Sequence, residues 1–182
     1  MERFQKQGWI FGILGIGIAI GVWMANRPSE EIFVQAVGVD RSGDYVLTTG
    51  FVDEGIEAVF YLDYLTGRLS AGVLSKQTRA FRAMYYADVN ANLAEYIAAQ
   101  GGTPPQKPNY LITTGVNDIM LTGGTNTDQP SLSAVYVLET NTGIVMTYVI
   151  PWNRSAHAAG QPEQRVMTPW TAQQFSTAVF RE

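Results

Sequence analysis

Carboxylates are the residues of this 182-residue chain whose spacing comes nearest to chemistry. Asp53, Glu54 and Glu57 crowd one short loop, and Asp118 and Asp128 lie in a second, longer one. If both loops stand at one end of adjacent sheets, these acids could hold a hard cation such as calcium or act as an acid/base pair. Their spacing is not that of an EF-hand, and the competing reading is an ordinary polar rim. A catalytic triad or a histidine metal cluster would have to use His157, the single histidine. Alanines surround it, so the expectation is an exposed side chain with no role. The chain has no cysteine, which excludes disulfides, thiolate metal sites and thiol nucleophiles. The run Thr122-Gly123-Gly124-Thr125-Asn126 lacks the strand-to-helix setting of a phosphate loop. Asn153-Arg154-Ser155 meets the glycosylation sequon but carries no information in a chain with a bacterial-type anchor. No catalytic residue, metal ligand or cofactor site is therefore assigned. A net charge of −4 speaks against general nucleic-acid binding. Between Asp63 and Asp88 the charged residues are all basic: Arg68, Lys76, Arg79 and Arg82, with Phe81, Tyr85 and Tyr86 among them. They could receive lipid headgroups or another polyanion. The simpler expectation is that they charge hairpin edges against edge-to-edge pairing.

The elements that must position these residues occur twice. Residues 57–74 read E-A-V-F-Y-L-D-Y-L-T-G-R-L-S-A-G-V-L, and residues 133–150 read S-A-V-Y-V-L-E-T-N-T-G-I-V-M-T-Y-V-I. In each, an apolar strand reaches an acid (Asp63, Glu139), a Thr-Gly turn follows (Thr66-Gly67, Thr142-Gly143), and a second apolar strand returns. Glycine supplies the positive φ such a turn demands, and the side chain of Asp63 or Asn141 can hold the turn through local amides. Along the leading strands Val59 and Tyr61, like Val135 and Val137, alternate with partners on the opposite face. Upstream of each hairpin lies a matching strand, Tyr45 to Gly50 and Tyr110 to Gly115, both of the form Y-[VL]-[LI]-T-T-G. The loop that follows is short in the first copy (Phe51 to Ile56) and long in the second (Val116 to Leu132).

The run from Val59 to Leu69 resembles the hairpin of quinoprotein-type β-propeller blades, V-Y-A-L-D-x-x-T-G-x-x, over about a dozen residues in each copy. Both copies lack the tryptophan that closes the quinoprotein motif after Gly67 and Gly143. The resemblance implies blade-like four-stranded units and, without that tryptophan, no cofactor. The whole chain also resembles small membrane-anchored proteins of unknown function from planctomycete-like bacteria, a likeness that implies no activity.

The flanks set the address. Gly8 to Ala25 is apolar and uncharged, close to the shortest length that spans a bilayer as a helix, with Trp9 and Trp23 near its ends. Arg3 and Lys6 precede it, which places the N-terminus inside and the bulk of the chain outside. A cleaved signal peptide is the alternative, but Trp23 would stand three residues before a cut after Ala25. Gly8 and Gly12, and Gly17 and Gly21, share helical faces and could bring two such helices together. After a tether containing Pro28, residues 32–39 read as a strand and 40–44 as a turn. Ala80 to Tyr86 reads as a fourth strand. Asp88 to Gln100 reads as a helix, capped by Asp88 or by Asn92 with Glu95 and ended by Gly101-Gly102. Residues 154–164 read as a loop. The tail is expected to form a strand over Gln174 to Arg181 beside the 32–39 strand, with a helix begun by Thr168-Pro169 as the alternative.

These readings combine into a mainly β protein. A single N-terminal transmembrane helix (1–25) precedes an extracytoplasmic domain (26–182) of two duplicated antiparallel, propeller-blade-like units (32–86 and 109–152) with one bridging helix. Two units are too few to close a propeller, which takes about four or more blades. They must pack on each other as a sandwich or barrel, or assemble with further chains. The expected function is non-enzymatic: a membrane-anchored cell-envelope structural or interaction domain whose partners are the membrane and either another protein or further copies of itself, and not nucleic acid. The alternative is a small ligand-binding or enzyme module with its site in the loops after the T-T-G strands. A third reading is an accessory subunit that completes a partner's propeller.

Overall fold

A computed structural model describes residues 39–117 and 128–176, with side chains from residue 43 onward. The apolar span with Gly8, Gly12, Gly17 and Gly21, the 32–38 strand, Asp118 and the end of the tail lie outside the described residues. Among the described residues no helix is long and apolar enough to cross a membrane.

The first copy forms strands β1 (Val39–Ser42), β2 (Tyr45–Asp53), β3 (Ile56–Asp63), β4 (Arg68–Ser75) and β5 (Ala80–Asp88). Helix α1 (Val89–Ala99) follows. The second copy forms β6 (Tyr110–Val116), β7 (Gln129–Glu139) and β8 (Ile144–Trp152), then a short helix α2 (Arg154–Ala158), β9 (Glu163–Val166) and β10 (Pro169–Gln174). The first sheet has the order β1-β2-β3-β4-β5-β9 and the second β10-β8-β7-β6. The two sheets stack and share one hydrophobic core, with Phe60, Leu62, Leu69 and Tyr85 from the first and Tyr110, Val137, Met146 and Tyr148 from the second.

The repeat is reproduced bond by bond. Tyr45 pairs with Asp63 and Tyr110 with Glu139, while Gly50 pairs with Ala58 and Gly115 with Ala134. The turn amide Gly67 N donates to Asp63 O and Gly143 N to Glu139 O. Gly67 and Gly143 have φ of +69° and +68°, the left-handed region where a Cβ is unfavourable. Asp63 accepts from the amides of Leu65 and Thr66, as Glu139 does from those of Asn141 and Thr142. In the second copy the turn is thus held by Glu139, whereas the Asn141 side chain donates outward to Lys107 O. Each unit also has a fourth strand in the same register: Arg68 pairs with Asp88 on β5 and Ile144 with Gln174 on β10. The next amide, Val89 N or Phe175 N, donates to the glycine carbonyl of the turn. Each unit is therefore a four-stranded antiparallel sheet, the second reaching its fourth strand only after α2 and β9.

One feature of the repeat is inverted. On β2 and β3 the buried side chains are Val46, Thr48, Phe60 and Leu62, while Tyr45, Leu47 and Tyr61 are exposed. Their repeat partners reverse this. Tyr110, Ile112, Val135 and Val137 are buried, and Leu111 is exposed. The first unit packs its one face against the opposite face of the second. The sheets come close at Gly50, where an added Cβ would stand 3.0 Å from Ser133 Cβ and 3.3 Å from Thr114 Cβ.

Helix α1 closes the end of the core that holds the hairpin turns. Asp88 is its N-cap, accepting from Ala91 N, so the Asn92–Glu95 alternative is not used. Val89, Leu93 and Ile97 face inward. Gly101 N donates to Ala98 O and Gly102 N to Ile97 O, the Schellman ending that Gly101 permits with its φ of +74°. Asn90 accepts from the Tyr110 hydroxyl at 2.6 Å and donates to Thr66 O, while Asn92 donates to the Tyr148 hydroxyl.

Three local expectations are corrected. Residues 40–42 belong to β1, and the turn is confined to Gly43 and Asp44. Arg154–Ala158 is helical because the Asn153 side chain caps Ala156 N. Pro169–Gln174 forms β10, paired with β8, so the alternative of a helix begun by Thr168-Pro169 is not used, while most of the expected Gln174–Arg181 strand and of its 32–39 partner lies outside the described residues.

Candidate functional site

Asp53, after the first T-T-G strand, and Asp128, just before β7, both bond the segment from Trp152 to Arg154, at the end of the sandwich opposite α1. Asp53 closes β2 just past a register shift and is 6% exposed. It accepts from Trp152 Nε1 at 3.0 Å, from Arg154 Nε at 2.6 Å and from Glu54 N at 2.8 Å, and a second Arg154 nitrogen completes an ion pair. Burial alone would raise the Asp53 pKa. The hydrogen bonds from Arg154, Trp152 and the Glu54 amide outweigh it and hold the carboxyl below its ordinary value. Trp152 ends β8 and Arg154 follows it, so this one carboxylate ties the first sheet to the second.

Asp128, just before β7, is bound in a parallel way. Arg165 of β9 donates to it at 2.8 Å and Asn153 Nδ2 at 3.2 Å. The Arg165 guanidinium is the main cause of a lowered Asp128 pKa, and burial opposes it weakly. Arg165 also donates to Glu163 and to Pro151 O, and the Tyr85 hydroxyl donates to Glu163 at 2.9 Å. Burial pushes the Tyr85 pKa up, and the nearby Glu163 charge adds to it.

The structure thus brings Asp53 and Asp128 to one end and gives each an arginine. Glu54 contributes its amide, and Glu57 lies exposed on β3 opposite Phe51. Among the described residues no three His, Asp or Glu side chains converge as metal ligands. A carboxylate saturated by guanidinium and indole donors has little left for a cation or for proton transfer, so this end is built as a clasp between sheets. A cleft of about 240 Å³ lies beside it, lined by Asp128, Pro130, Pro151 and Trp170 among others.

His157 is half-buried rather than idle. Its ring lies 4.7 Å from that of Trp152, and burial lowers its pKa. Nothing near it in sequence announces this contact. It arises because α2 turns the chain back over Trp152. The basic residues do not form one patch. The Arg68 guanidinium lies over the Tyr86 ring at 4.4 Å, and Arg82 donates to Gly160 O. The cross-sheet pairing of Arg154 and Arg165 carries no local sequence signal, since Asp53 and Asp128 lie 101 and 37 residues away from them.

The other surface with recognition chemistry is the outer face of the first sheet. Tyr45, Leu47, Tyr61, Leu74 and Phe81 are between 37% and 54% exposed there, and the Tyr45 and Tyr61 rings stack at 5.4 Å. Comparison with protein-family models, with curated proteins and with solved structures finds no match.

Proposed function

We propose that this chain is a non-enzymatic, membrane-anchored cell-envelope protein whose extracytoplasmic β domain, two propeller-blade-like units, is an interaction module. The observation that carries this reading is the outer face of the first sheet. Five large apolar side chains stand half-exposed on a rigid surface, a pattern that marks contact sites. The arrangement of the acids supports it, because Asp53 and Asp128 serve as cross-links between sheets. The apolar span before the domain supports the address.

The test is a photo-cross-linking amino acid at Tyr61 in the full chain, expressed in its own cells, with the exposed loop position Thr103 as control. Protein adducts at Tyr61 and not at Thr103 are expected. Equal or absent adducts refute the interaction reading. Alkaline phosphatase fused after Glu182 tests the address. Activity in the membrane fraction is expected, and an inactive or unattached fusion overturns it.

A further inference from the structure

Resting on that interaction reading, we infer that the partner is a second copy of this chain, docked head to tail so that the outer face of its second unit covers the outer face of the first. The inverted burial of the repeat carries this. Inside the chain, the first unit presents Val46, Thr48, Phe60 and Leu62, and the second answers with Tyr110, Ile112, Val135 and Val137. By register, the outer face of the first unit, with Tyr45, Leu47, Val59 and Tyr61, is the repeat copy of that second set. The outer face of the second unit, with Leu111, Thr113, Tyr136 and Leu138, is the repeat copy of the first set. On β2, β3, β6 and β7 each chain therefore ends in two faces that are repeat copies of the two already packed in its own core. A second copy continues the sheet-to-sheet interface already within the chain.

Charge agrees. Apart from Glu139, which is fully buried, strands β6, β7, β8 and β10 contain no charged residue, so the outer face of the second unit is uncharged. An uncharged sheet face is costly to leave in water and is suited to burial. The contact is heterologous, one kind of face on the other, and such contacts close into rings when the rotation allows. With two units per chain and about four to eight blades in closed rings, about two to four copies would close.

The repeat departs from equivalence on β4, where Arg68, Ser70 and Gly72 hold the places of the buried Ile144, Met146 and Tyr148, and at the start of β3. Glu57 holds the place that Ser133 holds in the core, where Ser133 meets Gly50. The copies therefore meet less closely there than the two sheets do, and Glu57→Ser should tighten the association.

A cysteine-free chain makes the test direct. Within the chain, the Thr48 and Thr114 hydroxyls lie 3.4 Å apart. Their repeat copies, Thr113 and Thr49, should face each other between chains. Full chains carrying Thr49→Cys and Thr113→Cys, with different tags, are co-expressed and treated with a short thiol-to-thiol cross-linker. A mixed product is expected, with loss of product when either variant is expressed alone. Strong cross-linking of one variant with itself shows like faces meeting and overturns the inference. No cross-linking in any combination also overturns it. Leu111→Glu gives a second reading by light scattering on the full chain. The mass should fall to one copy with the unfolding transition retained, and a monomeric parent chain refutes the inference. If Tyr61 instead captures a different protein in cells, the interaction reading stands and the self-association falls.

Discussion

Asp53 shows how one side chain can carry a task that its sequence neighbourhood does not announce. Its carboxylate accepts from an indole and a guanidinium that arrive about a hundred residues later. The carboxyl titrates lower in the folded chain than in the unfolded one, where about 3.9 is usual. The unfolded state therefore binds a proton first as the pH falls. The stabilisation is complete above the unfolded value and is lost as the pH drops through the folded one. Urea unfolding between neutral pH and pH 3 should show stability falling more steeply in the native chain than in Asp53→Asn. Equal slopes would mean the ion pair, with Arg154 largely in solvent, is screened to nothing. The carboxylates were visible in the sequence as a pair of loops, but their use was not. A run of acids looks the same whether it awaits a cation or has its arginines supplied from elsewhere. The same holds for His157, whose alanine neighbours say nothing of the Trp152 ring.

At the scale of the element, the hairpins were legible because their turn chemistry is local. The Thr-Gly turns, the acid before them and the Asp88 cap all act within four residues. The fourth strand of the second unit was not legible. β10 repeats the register of β5 with an unrelated sequence, P-W-T-A-Q-Q against the strand ending at Asp88. It is selected by the open edge of β8 and not by its own pattern. The two acids of the repeat also differ in weight. Asp63 lies in a solvent-facing turn, whereas Glu139 is fully buried and accepts from the Asn109, Asn141 and Thr142 amides and from the Thr142 hydroxyl. Glu139→Gln keeps the shape but replaces an acceptor oxygen with a donor. It should cost about 1–3 kcal/mol, the typical penalty for leaving buried partners unsatisfied, in a urea titration. Asp63→Asn should leave the midpoint nearly in place, and the reverse ranking would contradict the burial difference.

The two sheets form one cooperative body because neither has a core of its own. The larger side chains of both meet in a single cluster. β9, which belongs to the second unit's connection, pairs in parallel with β5 of the first sheet. Leu62→Ala in one sheet and Met146→Ala in the other should each lower stability by about 2–5 kcal/mol and shift the same single calorimetric transition. Two separable transitions would mean that the units fold independently. That two repeats occur was plain from their shared grammar. That they turn opposite faces to the core was hidden, since β2, β3, β6 and β7 carry apolar residues on both faces and periodicity alone cannot choose between them.

This inversion has a genetic consequence. Two similar stretches in one gene invite recombination that copies one over the other, and here the copies are not interchangeable. Overwriting the second with the first would put the arginine of position 68 where Ile144 is 4% exposed, and a glycine where Tyr148 fills the core. The reverse exchange would set Ile144's side chain and Tyr148's ring on the outer face in place of Arg68 and Gly72. Drift between the two stretches is therefore protective. The more their codons diverge, the less often the gene can undo the asymmetry on which its own core depends.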